Sequence, residues 1–159
     1  MISLTPEQAR AFADAVRLAM KSPVRQAVEV VYESLQDAID LRQPICSASG
    51  RCCRFEEYGH RLFVTTLEMA AFASQAAREL TPDSWDGTGC PFQLGGLCDV
   101  HPIRPLGCRI YFCDSTSTDW QTQQYERFHA HLKRLHESME IPYFYVEWRQ
   151  ALAAIAGSP

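Results

Sequence analysis

CSASGRCCR at residues 46–54, CPFQLGGLC at 90–98 and RPLGCRIYFC at 104–113 carry all seven cysteines of this chain: Cys46, Cys52, Cys53, Cys90, Cys98, Cys108 and Cys113. The flanks hold none and instead repeat apolar residues at helical spacing. Between the helical patterns, residues 81–108 are crowded with glycine and proline. So long a coil in a small domain needs something besides apolar burial to order it. Phe92, Leu94, Leu97, Ile103 and Leu106 are nonetheless poor residues for a mobile surface loop. A metal held by the cysteines supplies the ordering, because metal affinity becomes folding free energy. The expected fold is therefore mainly α, a compact helical domain around a coil-rich cysteine and metal centre, with at most a small strand pair. Residues 46–113 form the centre, helical segments 1–44 and 117–156 clamp it, and 1–159 make one domain.

Outward from that centre, the helix signals are local and clear. Thr5, Pro6 and Gln8 give a cap, a proline at the first helical position and the far half of a capping box. Phe12, Val16, Ala19 and Met20 follow about one turn apart, and Val24, Val28, Val31, Leu35 and Ile39 continue after Ser22-Pro23, read as a second cap. A short strand is expected from His60 to Val64. Thr65 and Glu68 then form a capping box for a helix over about 66–80, read as an insertion within the cysteine segment. Arg109 to Phe112 reads as a brief extended piece. Ser117 or Asp119 caps a helix with Tyr125, Phe128, Leu132, Leu135 and Met139 on its apolar stripe, and a last helix carries Val146, Leu152 and Ile155.

Length and composition narrow the class. A chain of 159 residues suits one domain, and 47% hydrophobic with 21% charged residues is a folded composition. A net charge of −4 gives no general attraction to nucleic acid or anionic membranes, and no apolar run approaches the roughly 18 residues of a span. The start lacks a secretory pattern, so the cytoplasm is the expected compartment. Thiols there stay reduced and serve as metal ligands more often than as disulfides. Seven thiols, moreover, cannot all pair within one chain.

Thiolates are soft ligands suited to zinc and iron–sulfur clusters, which take about four of them at one centre. Cys46 with Cys52-Cys53 offers a local bite, and Cys90, Cys98 and Cys108 return separately to it. Adjacent Cys52 and Cys53 point apart too readily to share one zinc, so one ligates while the other packs, or each serves a different metal. Disulfides and ordinary buried or redox-reactive thiols are the competing readings.

The ordered blocks resemble a known family. Cys46-x2-Ser49-x2-Cys52-Cys53-Arg54, Cys90-Pro91-Phe92, Leu97-Cys98 and Arg104-Pro105-Leu106-Gly107-Cys108-Arg109 look like the YkgJ-type cysteine-cluster family. The resemblance implies a bound zinc, iron or iron–sulfur centre without implying a reaction. Ser49 stands where that family often has a cysteine, and it is read as turning the chain or bonding a thiolate. The expected ligands are Cys53, Cys90, Cys98 and Cys108, followed by Cys46 and Cys52, with Cys113 outside the recognisable block as the spectator.

Arg104 and Arg109 flank Cys108 and are the candidate cofactor-binding residues, offsetting thiolate charge from the second layer; ordinary ion pairs to Glu56, Glu57 or Asp99 are the bland reading. Arg51 and Arg54 invite the same comparison. His101 and His60 are weaker ligand candidates. His129 and His136 share a helix face, either toward the centre or simply part-exposed. Tyr143, Phe144, Tyr145 and Trp148 either line a pocket or form core. No catalytic constellation assembles from the sequence, and whether the chain is an enzyme stays open. The expected cofactor is an iron–sulfur cluster, with [4Fe–4S] as one form and zinc as the alternative. The role is structural, electron-transferring or redox-sensing; the alternatives are a structural zinc interaction module and a metalloenzyme with an open site. A protein or small redox partner is expected, and neither nucleic acid nor membrane.

Overall fold

A computed structural model describes residues 3–157. Helix α1, Pro6–Met20, starts at the predicted capping box: the Thr5 hydroxyl accepts from Gln8 N at 3.2 Å and the Gln8 side chain accepts from Thr5 N at 2.9 Å. Each of these bonds satisfies a donor that the first helical turn leaves without a partner. Phe12, Ala13, Ala15, Val16 and Ala19 form the buried face. Helix α2, Val24–Arg42, buries Val24, Val28, Val31, Tyr32 and Leu35 and ends where Gln43 turns left-handed at φ 52° before Pro44. Its cap position is held by Pro23, with no side-chain bond, so the expected Ser22 cap does not form. Burying each such Val or Leu contributes about 1.5–3 kcal/mol.

Helix α3 is one turn, Phe55–Tyr58, and leads to strand β1, Phe63–Thr65. Helix α4, Thr66–Ala73, has the predicted Thr65 and Glu68 capping box. It is shorter than the expected 66–80 because the Ser74 hydroxyl and the Gln75 amide both donate back to Ala71 O and the chain then turns. Nor is it an insertion. From Thr66 to Phe72 every residue is buried, and α1 and α2 pack on it, so α4 is the central helix.

Strands β2, Gln93–Leu94, and β3, Leu97–Cys98, form a two-residue hairpin. Gly95 and Gly96, at φ 57° and 80°, supply the left-handed pair that such a turn requires. Leu106–Arg109 is a helical turn, α5, and the extended piece expected from Arg109 to Phe112 is not a strand: its first residue closes α5. Helix α6 spans Thr118–Met139 and buries Phe128, Leu132 and His136. Ser117 sits at its cap position, but its hydroxyl donates to Asp114.

Strand β4, Tyr145–Glu147, pairs antiparallel with β1, with Val64 opposite Val146, and helix α7, Trp148–Ala156, follows. The Glu147 carboxylate caps α7 by accepting from Arg149 N and Gln150 N. The fold is mainly α, with two small strand pairs where at most one was expected. One apolar core joins α1, α2, α4, α6 and α7 to Phe55, Phe92 and Leu106 of the cysteine segment. Among the described residues no helix is long and apolar enough to cross a membrane.

Candidate metal centre

The cysteine turns are fastened to one another by the backbone. Cys52 and Cys53 lie on a 3₁₀ turn, Arg51–Cys53, entered through Gly50 at φ 71°. A Cβ on Gly50 would stand 2.3 Å from Gly96 O, so the turn lies directly against the β2–β3 hairpin. The Gln93 side chain closes that contact by donating to Gly50 O at 3.1 Å and Gly96 O at 3.2 Å. Cys90 N donates to Cys53 O at 2.8 Å. Gly89, at φ 60°, makes this approach possible, since a Cβ there would meet the same carbonyl at 2.7 Å.

Cys108 arrives by a different route. Helix α5 starts against buried Glu68, whose carboxylate accepts from Leu106 N at 2.8 Å, from Thr65 N at 2.9 Å and from Tyr32 Oη at 3.4 Å. A carboxylate in the middle of the core thus ties the Cys108 turn to the start of α4.

These routes bring Cys52, Cys53, Cys90, Cys98 and Cys108 together. The Cys53 thiol lies beside the thiols of Cys52, Cys90 and Cys98. Those neighbours hold its proton affinity well above the usual thiol range. The proximity of Cys53, with Arg104 assisting, lowers Cys52 to about 6 and Cys98 to about 7. Cys90 is lowered by Cys53 and by the Trp148 indole, which donates to its sulfur at 3.4 Å. Burial, then the charge of Cys90, Cys52 and Cys98, pushes Cys108 up. Adjacent Cys52 and Cys53 therefore serve one thiol cluster, and all seven cysteines are free thiols.

Cys46 and Cys113 stand at the rim, both exposed. With Cys52 and Cys98 they line a cavity of about 300 Å³ whose wall also includes His101, Arg104 and Arg109. Asp114 holds this rim by accepting from Ile45 N at 3.2 Å, and the Ser49 hydroxyl is 3.4 Å from Cys113 Sγ. The expected spectator, Cys113, thus shares a wall with expected ligands.

The arginines do not make the ion pairs of the bland reading. Arg104 donates to His101 O, and Arg109 donates to Arg104 O at 2.5 Å and Pro102 O at 3.0 Å while lying over the Tyr32 ring at 4.1 Å. Asp99 pairs instead with Arg78, and Glu56 with Arg149. Both guanidinium groups share the cavity wall with Cys52 and Cys98, and after burial both lower the proton affinity of His101. Arg54 donates to Ser49 O and Glu57, and Arg51 lies over Tyr58.

His129 and His136 make their contacts with tyrosines and with Ile141. His129 Nε2 is 2.9 Å from Tyr143 Oη, and buried His136 is 3.1 Å from Ile141 O. His60 lies against Tyr111 with its Nε2 3.3 Å from Cys52 O, supporting the turn through its backbone. Trp148, 1% exposed and packed on Phe72 and Phe92, is both core and a thiol donor. The sequence offered it as pocket lining or core but not as a thiol donor, because its partner is 58 residues away.

The donor set fits a thiophilic metal or cluster: five converging sulfurs, three of them acidified, with guanidinium charge and an indole N–H around them. Among the described residues no three or more His, Cys, Asp or Glu side chains already stand in an arrangement that could hold a metal ion. Comparison with family models, curated proteins and solved structures finds no match to this chain.

Proposed function

We propose that this chain is a metal-binding protein whose thiols hold an iron–sulfur cluster, with a structural, redox-sensing or electron-transfer role. The observation that carries the reading is the gathering of Cys52, Cys90 and Cys98 around Cys53, with buried Cys108 close enough to feel the charge of Cys90, Cys52 and Cys98. Ordinary buried thiols have no need of a shared network with acidified members, and disulfides would leave no free thiols to make one. Cys53, Cys90, Cys98 and Cys108 are the ligand set put first. Cys52 joins them by its place in the network, and Cys46 at the rim is the reserve ligand.

Arg104 and Arg109 offset the thiolate charge, and the indole of Trp148 donates to Cys90. The likeness of the cysteine blocks to the YkgJ-type family supports the same reading. When bound, the cluster would supply one-electron chemistry; zinc, the second candidate, would supply cross-linking alone.

Anaerobic purification followed by absorption spectroscopy and quantification of iron, sulfide and zinc tests this. A broad band near roughly 400 nm with matching iron and sulfide is the expected result. A colourless, zinc-loaded protein overturns the iron–sulfur choice, and a fully folded protein with neither metal overturns the metal reading.

A further inference from the structure

A second cavity, of about 320 Å³, opens behind the thiol cavity, with Cys52 and Tyr111 lining both. Five of its ten lining residues, His60, Phe63, Tyr111, Tyr125 and Tyr145, carry rings. Phe63 and Tyr145 stack with centroids 5.2 Å apart and planes at 27°, and His60 and Tyr111 stack at 4.8 Å and 28°. The Tyr125 and Tyr145 hydroxyls hydrogen-bond to each other, which leaves one phenolic O–H to donate elsewhere. Gly107 and Cys108 complete the lining, and no Asp or Glu belongs to it. Apart from thiols and the His60 imidazole, its ionised side chain is Arg61, exposed at the edge.

We propose that this cavity binds a small planar aromatic anion, in the size class of a bicyclic aryl carboxylate. Flat rings on two walls favour a flat ligand that stacks or meets them edge-on, over an aliphatic one of equal volume. The guanidinium of Arg61, in a lining that holds no carboxylate, selects a carboxylate over an ammonium group. The free phenolic O–H gives the ligand a second polar contact. The volume lies at the small end of ligand cavities, which excludes a full dinucleotide. Nothing in these walls requires the thiols to hold a metal, so this site and the metal reading stand or fall separately.

Titrating the full chain with 2-naphthoate, followed by calorimetry and by amide NMR shifts, tests the site. Saturable binding is expected, with shifts gathered at residues 60–63, 107, 111, 125 and 145. Cyclohexanecarboxylate and 2-naphthylmethylammonium should bind at least about tenfold more weakly, the equivalent of one lost charged or stacked contact. Arg61→Gln should weaken 2-naphthoate about tenfold without changing the melting temperature, since the residue is exposed. Tyr145→Leu should weaken it while leaving cyclohexanecarboxylate unaffected. The proposal is overturned by no saturable binding to the folded protein, by equal affinity for the three probes, or by wild-type affinity in Arg61→Gln. Metal content measured on the same samples separates that failure from one of the metal reading.

Discussion

Cys53 lies beside the thiols of Cys52, Cys90 and Cys98, so its loss opens the middle of the cluster. Cys53→Ser and Cys108→Ala are expected to lose most of the bound metal and to lower the melting temperature. Cys113→Ala, which removes an exposed rim thiol, should retain most of it. Metal analysis of the three variants checks this ranking, and equal retention in all three contradicts it. Trp148→Phe keeps a buried ring but removes the donor to Cys90 Sγ. A lost second-layer bond of this kind weakens metal binding by about 10-fold, measurable by competition with a chromophoric chelator. Ranking thiols in this way needed the structure, because the sequence shows seven similar cysteines and conveys neither their depth nor their partners.

Two connections between elements carry the centre, and each has a weak point that can be tested. The 3₁₀ turn and the β2–β3 hairpin meet at Gly50, where a Cβ would collide with a backbone oxygen and φ is left-handed. Gly50→Ala should therefore cost about 1–3 kcal/mol and reduce metal retention, read by thermal melting and metal analysis. The exposed Gly87, with no atom near its Cβ position, is the control for left-handed strain alone.

The second connection is Glu68, whose carboxyl is raised by burial above its ordinary 4.5 despite the bonds from Thr65, Leu106 and Tyr32. A raised carboxyl binds its proton more tightly folded than unfolded. Its contribution is therefore full below about pH 4.5 and declines as pH rises toward the folded value. Glu68→Gln should flatten the pH dependence of stability above pH 4.5, and denaturant midpoints measured across that range check it. The Thr65 and Glu68 capping box was legible from four consecutive residues. That the same carboxylate also holds Leu106, 38 residues on, was not.

Across the whole molecule, the cysteine segment shares the helical core through Phe55, Phe92 and Leu106 but has far less regular backbone than the helices. Helices α1, α2, α4, α6 and α7 share a continuous apolar core, whereas residues 74–92 contain no regular element before the hairpin. Removing metal under reducing conditions should therefore loosen that connector first. Trp85, whose indole donates to Thr88 O within it, reports the change by fluorescence, and limited proteolysis should cut between residues 74 and 92 before any helix. Unchanged cleavage after complete metal removal would mean that backbone bonds alone order the connector.

Apolar period, proline and glycine punctuation, and two capping boxes determined by themselves that this chain is mainly α, with an irregular cysteine segment at its centre. Those signals are short-range: a cap needs three or four residues, and an amphipathic stripe needs neighbours one turn away. Only the tertiary structure decided that α4 is the central helix, that β1 pairs with β4 82 positions later at Val64 and Val146, and that His129 and His136 face a tyrosine cluster. It also decided which thiols meet. Their meeting depends on bonds such as Cys90 N to Cys53 O, formed between turns that no local pattern connects.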